Sequence, residues 1–232
     1  MAEQLYTIPV NDAFDIECEC PMCAMYRELE KDAVAFSMGS SYMDDQIREK
    51  TDKEGFCSGH AKQIYEYNNS LGMAMVLDTH VDKIIRDVIK LNKKGQKSGL
   101  FKKKDMSGMT SYLKGQEDSC FICNKIKHTF ERYLITVYHM WKNDEDFKDK
   151  YEKSKGFCIT HYRMLLEHAP SHLTGKLLDE YIHITNKIFM DNLERVSEEL
   201  KWFINKFDYK YKEEPWKNSK DALPRMIEKL YP

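Results

Sequence analysis

At 232 residues the chain can form one large domain or two small ones with a real apolar core. Apolar residues make up 42% and charged residues 32%, with only 10 Gly and 6 Pro, which excludes a disordered, collagen-like or membrane-spanning chain. Lys and Arg (36) nearly cancel Asp and Glu (38), so the formal charge of -2 gives no chain-wide field that would draw nucleic acid or anionic lipid.

The opening stretch, MAEQLYTIPVNDAFDIE, has neither the basic start nor the continuous apolar core of a secretory signal, and no later run suits a membrane helix. The expected location is the cytoplasm. Leu5-Tyr6-Thr7-Ile8 is the one short strand-like segment. Met22, Tyr26, Leu29, Ala33 and Phe36 then recur at three- and four-residue steps, predicting an amphipathic helix that Gly39-Ser40-Ser41 ends. A short polar helix follows, then Gly55-Phe56-Cys57-Ser58-Gly59-His60, a third helix through Ile64 and Tyr65, and a longer fourth through Leu71, Val81, Ile84, Ile85, Val88 and Ile89. Lys93 through Lys104 holds six lysines, two glycines and no acid, and reads as a solvated linker.

The pattern then repeats. Ile122, Ile126, Phe130, Tyr133, Val137 and Trp141 mark another outgoing helix, Asn143-Asp144 its break, and Leu165 and Leu166 the third helix. Ser171 is the expected N-cap of a long helix striped by Leu178, Ile182, Phe189, Leu193, Val196, Leu200, Ile204 and Phe207, expected to brace both halves. An aromatic stretch from Phe207 to Trp216 leads to a last helix, with Asp221 at its N-cap and Pro224 in its first turn. The predicted organisation is a first helical repeat over 1–92, a basic linker over 93–110, a second repeat over 111–206 and a C-terminal aromatic segment with a short helix over 207–232.

The repeated elements carry the chemistry. Cys20-Pro21-Met22-Cys23 recurs as Cys120-Phe121-Ile122-Cys123, offset by 100, and the Gly-Phe-Cys-x-x-His segment recurs as Gly156-Phe157-Cys158-Ile159-Thr160-His161, offset by 101. Six of the seven cysteines fall in this pattern, which reads as an ancestral duplication. In a reducing compartment, clustered cysteines point to metal or redox work before disulfides. C-x-x-C and C-x-x-H turns hold their ligands at the ~3.7 Å edge of a tetrahedral zinc site, and three thiolates with one imidazole make a closed, structural set. Each repeat is therefore expected to bind one zinc, through Cys20, Cys23, Cys57 and His60 in the first and Cys120, Cys123, Cys158 and His161 in the second. The returning helix would bring each Gly-Phe-Cys-x-x-His back to its own cysteine pair, so that the metal ties off a helical hairpin. The fold class predicted is mainly α, with two duplicated zinc-tied hairpin modules and a long C-terminal bracing helix.

A Cys₃His iron–sulfur cluster is the competing metal reading. Haem attachment is excluded because Ala24 and Asn124, not His, follow the second cysteines, and a thioredoxin-like use lacks its βαβ setting. Cys18 would align with Asp118 and is expected to be a bystander. His80, His128, His139, His168, His172 and His183 share no metal spacing, and no nucleophile-elbow motif, acid–base pair or phosphate loop is recognisable. The doubled C-x-x-C with G-F-C-x-x-H, the Ile8-Pro9-Val10-Asn11 opening and the ending from Phe207-Asp208-Tyr209 through Pro215-Trp216 to Ala222-Leu223-Pro224-Arg225 resemble an uncharacterised bacterial family of helical domains of unknown function. The resemblance spans nearly the whole chain and implies a bacterial metal-binding protein, with no activity or catalytic residue to transfer.

The function expected is a non-enzymatic zinc-bound scaffold that presents a surface to a protein partner. The alternatives are a thiol/zinc redox sensor and a nucleic-acid-binding regulator. No basic residue stands inside any of the four ligand pairs and the pI is about 6.5, which argues against the last.

Overall fold

The computed structural model describes residues 6–95 and 105–232. Among them there are eleven α-helices and no strand. They are α1 (Thr7–Asp15), α2 (Pro21–Met38), α3 (Asp45–Glu54), α4 (Ser58–Glu66), α5 (Ser70–Gly95), α6 (Ser107–Glu117), α7 (Phe121–Asn143), α8 (Glu145–Lys153), α9 (Ile159–His168), α10 (Gly175–Asn205) and α11 (Ala222–Leu230). The mainly α fold is as the periodicity indicates, and the order long, short, short, long follows each cysteine pair: α2 to α5, then α7 to α10.

Local chemistry sets most boundaries. Pro21 opens α2, where a missing N–H costs nothing. Asp44 caps α3 by accepting from Gln46 N at 2.8 Å and Ile47 N at 3.2 Å, and Asp144 caps α8 by accepting from Phe147 N at 3.0 Å. Three expectations need correction. Tyr6-Thr7-Ile8 leads into α1 rather than a strand, because Val10, Ala13 and Phe14 are buried on one helical face, with Phe14 edge-on to Phe147 at 4.9 Å; Leu5 lies outside the described residues. Ser171 ends a 3₁₀ turn started by Ala169-Pro170, and Thr174 takes the N-cap position of α10 instead. Asp221 stands at the N-cap of α11 but gives its carboxylate to Arg225 at 2.8 Å rather than to a backbone N–H. Of the 93–110 linker, residues 96–104 lie outside the described residues, while α5 runs to Gly95 and α6 starts at Ser107.

The chain forms two compact units, and they do not follow the repeats. One takes the described part of Met1–Glu28 together with Phe130–Pro232; the other takes the described part of Leu29–Thr129, and both divisions fall inside helices, α2 and α7. We call them units 1 and 2. The core of unit 1 is aromatic: Tyr138, Trp141, Phe147, Tyr151, Phe157 and Tyr181 are all buried, and Tyr151 Oη is satisfied by Tyr181 Oη at 3.0 Å and Thr185 Oγ1 at 2.8 Å. The long helix α10 belongs wholly to unit 1, where it packs on α8, α9 and α11. The aromatic segment after it wraps around buried Lys206, whose Nζ donates to the carbonyls of Tyr211 at 2.6 Å, Lys212 at 2.9 Å and Glu214. Unit 2 has a slighter core of small and aliphatic side chains, including Ala33, Val34, Met38, Ile64, Val76, Ile122 and Ile126.

Candidate metal centres

All four ligand pairs sit at helix N-termini, where unpaired N–H groups favour thiolate charge. Cys20 and Cys120 immediately precede α2 and α7, while Cys57 and Cys158 are the N-caps of α4 and α9. Cys158 Sγ accepts from His161 N at 3.4 Å, and Cys120 Sγ from Cys123 N at 3.5 Å. The glycine of each Gly-Phe-Cys-x-x-His segment has positive φ, 60° at Gly55 and 82° at Gly156. A Cβ on Gly55 would stand 2.8 Å from His80 Nε2, and one on Gly156 3.2 Å from the Ile188 carbonyl, so a side chain at either position is strained by its backbone conformation and would also have to displace a neighbour.

The eight expected residues assemble into two clusters, but not in the expected pairing. Cys20 and Cys23 meet Cys158 and His161; Cys57 and His60 meet Cys120 and Cys123. Each cluster thus takes its C-x-x-C from one repeat and its C-x-x-H from the other. The first lies wholly in unit 1, the second wholly in unit 2. The hairpin closure is overturned for a reason of length. Helix α2 has 18 residues and spans about 27 Å, whereas α3 has 10 and spans only about 15 Å, too short to retrace it. The turn at Gly55 then diverts the chain, and its carbonyl accepts from Phe121 N at 3.0 Å, beside the other cysteine pair. In the second half α7 has 23 residues and α8 only 9, the same mismatch.

The donor geometry fits a tetrahedral metal. In unit 1, Nδ1 of His161 lies 3.1 Å from Cys158 Sγ, 3.3 Å from Cys23 Sγ and 3.5 Å from Cys20 Sγ, and the Cys23 and Cys158 sulfurs are 3.6 Å apart. In unit 2, Nδ1 of His60 lies 3.3 Å from each of the sulfurs of Cys57, Cys120 and Cys123, and the Cys57 and Cys123 sulfurs are 3.9 Å apart. A tetrahedron with Zn–S near 2.3 Å has S···S edges of about 3.75 Å and S···N edges of about 3.5 Å. A disulfide needs sulfurs about 2.05 Å apart, and all seven cysteines are free.

Electrostatics also call for a cation. In unit 1 the thiol hydrogens of Cys20 and Cys23, with His161, hold Cys158 far below the ordinary thiol range, while contact with Cys158 pushes Cys23 up to about 12 and burial pushes Cys20 well up. In unit 2 burial opposes ionisation of Cys57, yet the N–H of His60 and the neighbouring thiols bring it down, and burial with Cys120 beside it pushes Cys123 up to about 12. Thiolates packed this closely repel one another, a repulsion that a divalent cation at the centre would offset. The donor set therefore fits a metal ion in both places.

The surroundings of the two sites differ. His60 Nε2 hydrogen-bonds Glu30 Oε1 at 3.0 Å, the carboxylate–histidine–metal arrangement that fixes tautomer and ring orientation. The repeat places Phe130 opposite Glu30 in sequence, and in unit 1 its ring packs against that of His161 at 5.3 Å instead. All four ligands are buried in unit 1, while Cys57 and Cys123 are half-exposed in unit 2. Next to Cys20, buried Glu19 receives Arg195 at 2.7 Å and Lys229 at 3.2 Å, with Arg225 at 3.4 Å, and Lys229 Nζ also donates to the Glu19 carbonyl at 2.6 Å. Helix α11 is thereby tied to the residue beside a ligand. Neither Glu30 nor Glu19 stands out in the sequence. The only sign of Glu30 would be that a carboxylate interrupts the apolar stripe where the second copy has Phe130.

A model of a family of unknown function, DUF6062, matches residues 1–231. The chain belongs to this family. No curated protein and no solved structure matches the chain. Among the described residues this DUF6062 protein has two Cys/His clusters able to hold a metal, neither of which includes Cys18. Burial raises the Cys18 thiol above its ordinary range, the opposite of an activated nucleophile. The six scattered histidines also stay out of both clusters; His80 Nδ1 bonds the Asp52 carbonyl at 2.8 Å and His172 stacks on Tyr138 at 5.1 Å. No helix among the described residues is long and apolar enough to cross a membrane.

Proposed function

We propose that this DUF6062 protein is a non-enzymatic zinc protein in which two structural Cys₃His centres, one per unit, hold a helical scaffold for a protein partner. The observation that carries this reading is the closed donor set: in each cluster three sulfurs and one Nδ1 lie within 4.8 Å of one another, leaving no position for water or substrate. Three thiolates and one imidazole suit zinc in preference to a hard cation. Ligands drawn from distant parts of the chain make metal binding a source of folding energy. Seven free cysteines accord with the reducing cytoplasm of a bacterium.

Elemental analysis of protein purified without added metal tests the reading. About two zinc per chain, with no visible charge-transfer colour and a loss of helix on strong chelation, is the expected result. Brown protein with iron and labile sulfide, or an unchanged circular dichroism spectrum after both metals are stripped, would overturn it.

A further inference from the structure

Helix α5 packs its inner side, with Gly72 and Val76 buried, onto the rest of unit 2, where α3 and α6 are its neighbours. Its outer side carries an aliphatic ridge at four-residue spacing: Leu77 is 36% exposed, Val81 49%, Ile85 50% and Ile89 49%. Residues four apart form one continuous ridge on a helix surface, the kind that interdigitates with another helix. Four consecutive exposed aliphatics on one ridge differ from the scattered apolar side chains of an ordinary surface.

The neighbouring row selects the occupant. Each ridge residue is followed by an exposed charge, in the order Asp78, Asp82, Arg86, Lys90. The row is acidic in its N-terminal half and basic in its C-terminal half. A second copy of the same helix running antiparallel, with its two-fold axis between Val81 and Ile85, sets Asp82 beside the other copy's Arg86 and Asp78 beside its Lys90. The same flank then faces itself, as an isologous interface requires. A parallel pairing instead turns this row toward the opposite flank, and its complementarity is lost. We propose that the Leu77–Val81–Ile85–Ile89 ridge pairs antiparallel with the same ridge of a second copy of this chain.

Sedimentation of the full metal-loaded chain over a concentration series tests the proposal. The wild type is expected to show a reversible monomer–dimer equilibrium. Ile85→Lys should raise the dissociation constant at least ~100-fold, because the change enters the symmetric interface twice. Asp82→Arg should weaken the dimer by placing like charges together, and Asp82→Arg with Arg86→Asp should restore it by exchanging the pair. All these residues are exposed, so circular dichroism of the monomer should be unchanged. A wild type that stays monomeric at every concentration assigns the ridge to a different chain and overturns the proposal. So does a dimer indifferent to Ile85→Lys, and failure of the charge exchange to restore the dimer overturns the antiparallel register.

Discussion

Replacing two cysteines at a time separates the two ways of closing a Cys₃His set in this sequence. In the structure Cys20 and Cys158 share a centre, while Cys20 and Cys57 belong to different ones. Cys20→Ser with Cys158→Ser should therefore lower the metal from about two equivalents to about one, whereas Cys20→Ser with Cys57→Ser should bring it close to zero. Were each repeat to bind its own metal, the two results would be exchanged. The energetic scale is large. Structural zinc contributes an apparent ~10–16 kcal/mol, against a total folding stability of ~5–15 kcal/mol for a domain, so a unit that loses its metal loses much of its support. Metal per chain by elemental analysis, read beside the melting curve, gives the answer. The Cys20/Cys158 variant should keep a cooperative transition from unit 2, and Cys18→Ser, outside both clusters, should keep both metals and melt within the small change usual for such positions. A Cys20/Cys57 variant that retains one tightly bound metal would refute the crossed pairing.

Glu30→Gln should weaken the metal of unit 2 by about 10–100-fold through loss of the carboxylate on His60, leaving unit 1 unaffected; competition with a chromophoric chelator in single-site variants measures it. Chelator should also strip unit 2 first, since Cys57 and Cys123 are half-exposed and every ligand in unit 1 is buried, and simultaneous release at equal rates would contradict this. Lys229→Met should cost about 3 kcal/mol, the low end for breaking a buried ion pair because Arg195 and Arg225 remain on Glu19. At this chain length that corresponds to a melting temperature lower by about 6–12 °C, checked by calorimetry.

The eight residues of the two clusters were legible because scarce residue types recur in order, and the helices because their stripes are long. The pairing was not. Both ways of combining the four Cys/His pairs use the same spacings, and what separates them is a length: α3 and α8, of 10 and 9 residues, are too short to retrace α2 and α7, of 18 and 23. Boundaries failed where tertiary packing overrode local preference: Phe14 between Phe147 and Tyr151 draws α1 out of a β-branched segment, and Pro170 builds a turn that moves the cap from Ser171 to Thr174. The role of Glu19 was hidden because its partners, Arg195, Arg225 and Lys229, lie more than 170 residues away in sequence.

The crossed pairing has a consequence for biosynthesis. A chain emerging N-terminus first presents Cys20, Cys23, Cys57 and His60, a complete but mispaired Cys₃His set, about a hundred residues before His161 leaves the ribosome. Closing that mispaired loop of a few dozen residues is also entropically easier, by roughly 1 kcal/mol, than closing the native loop between Cys23 and His161, which are 138 residues apart. Metal bound that early would trap the nascent chain, and correct assembly would then depend on ligand exchange or on metal arriving after translation has passed the second Gly-Phe-Cys-x-x-His. Chains refolded with zinc present throughout should regain the native state more slowly than chains given zinc after the helices have formed.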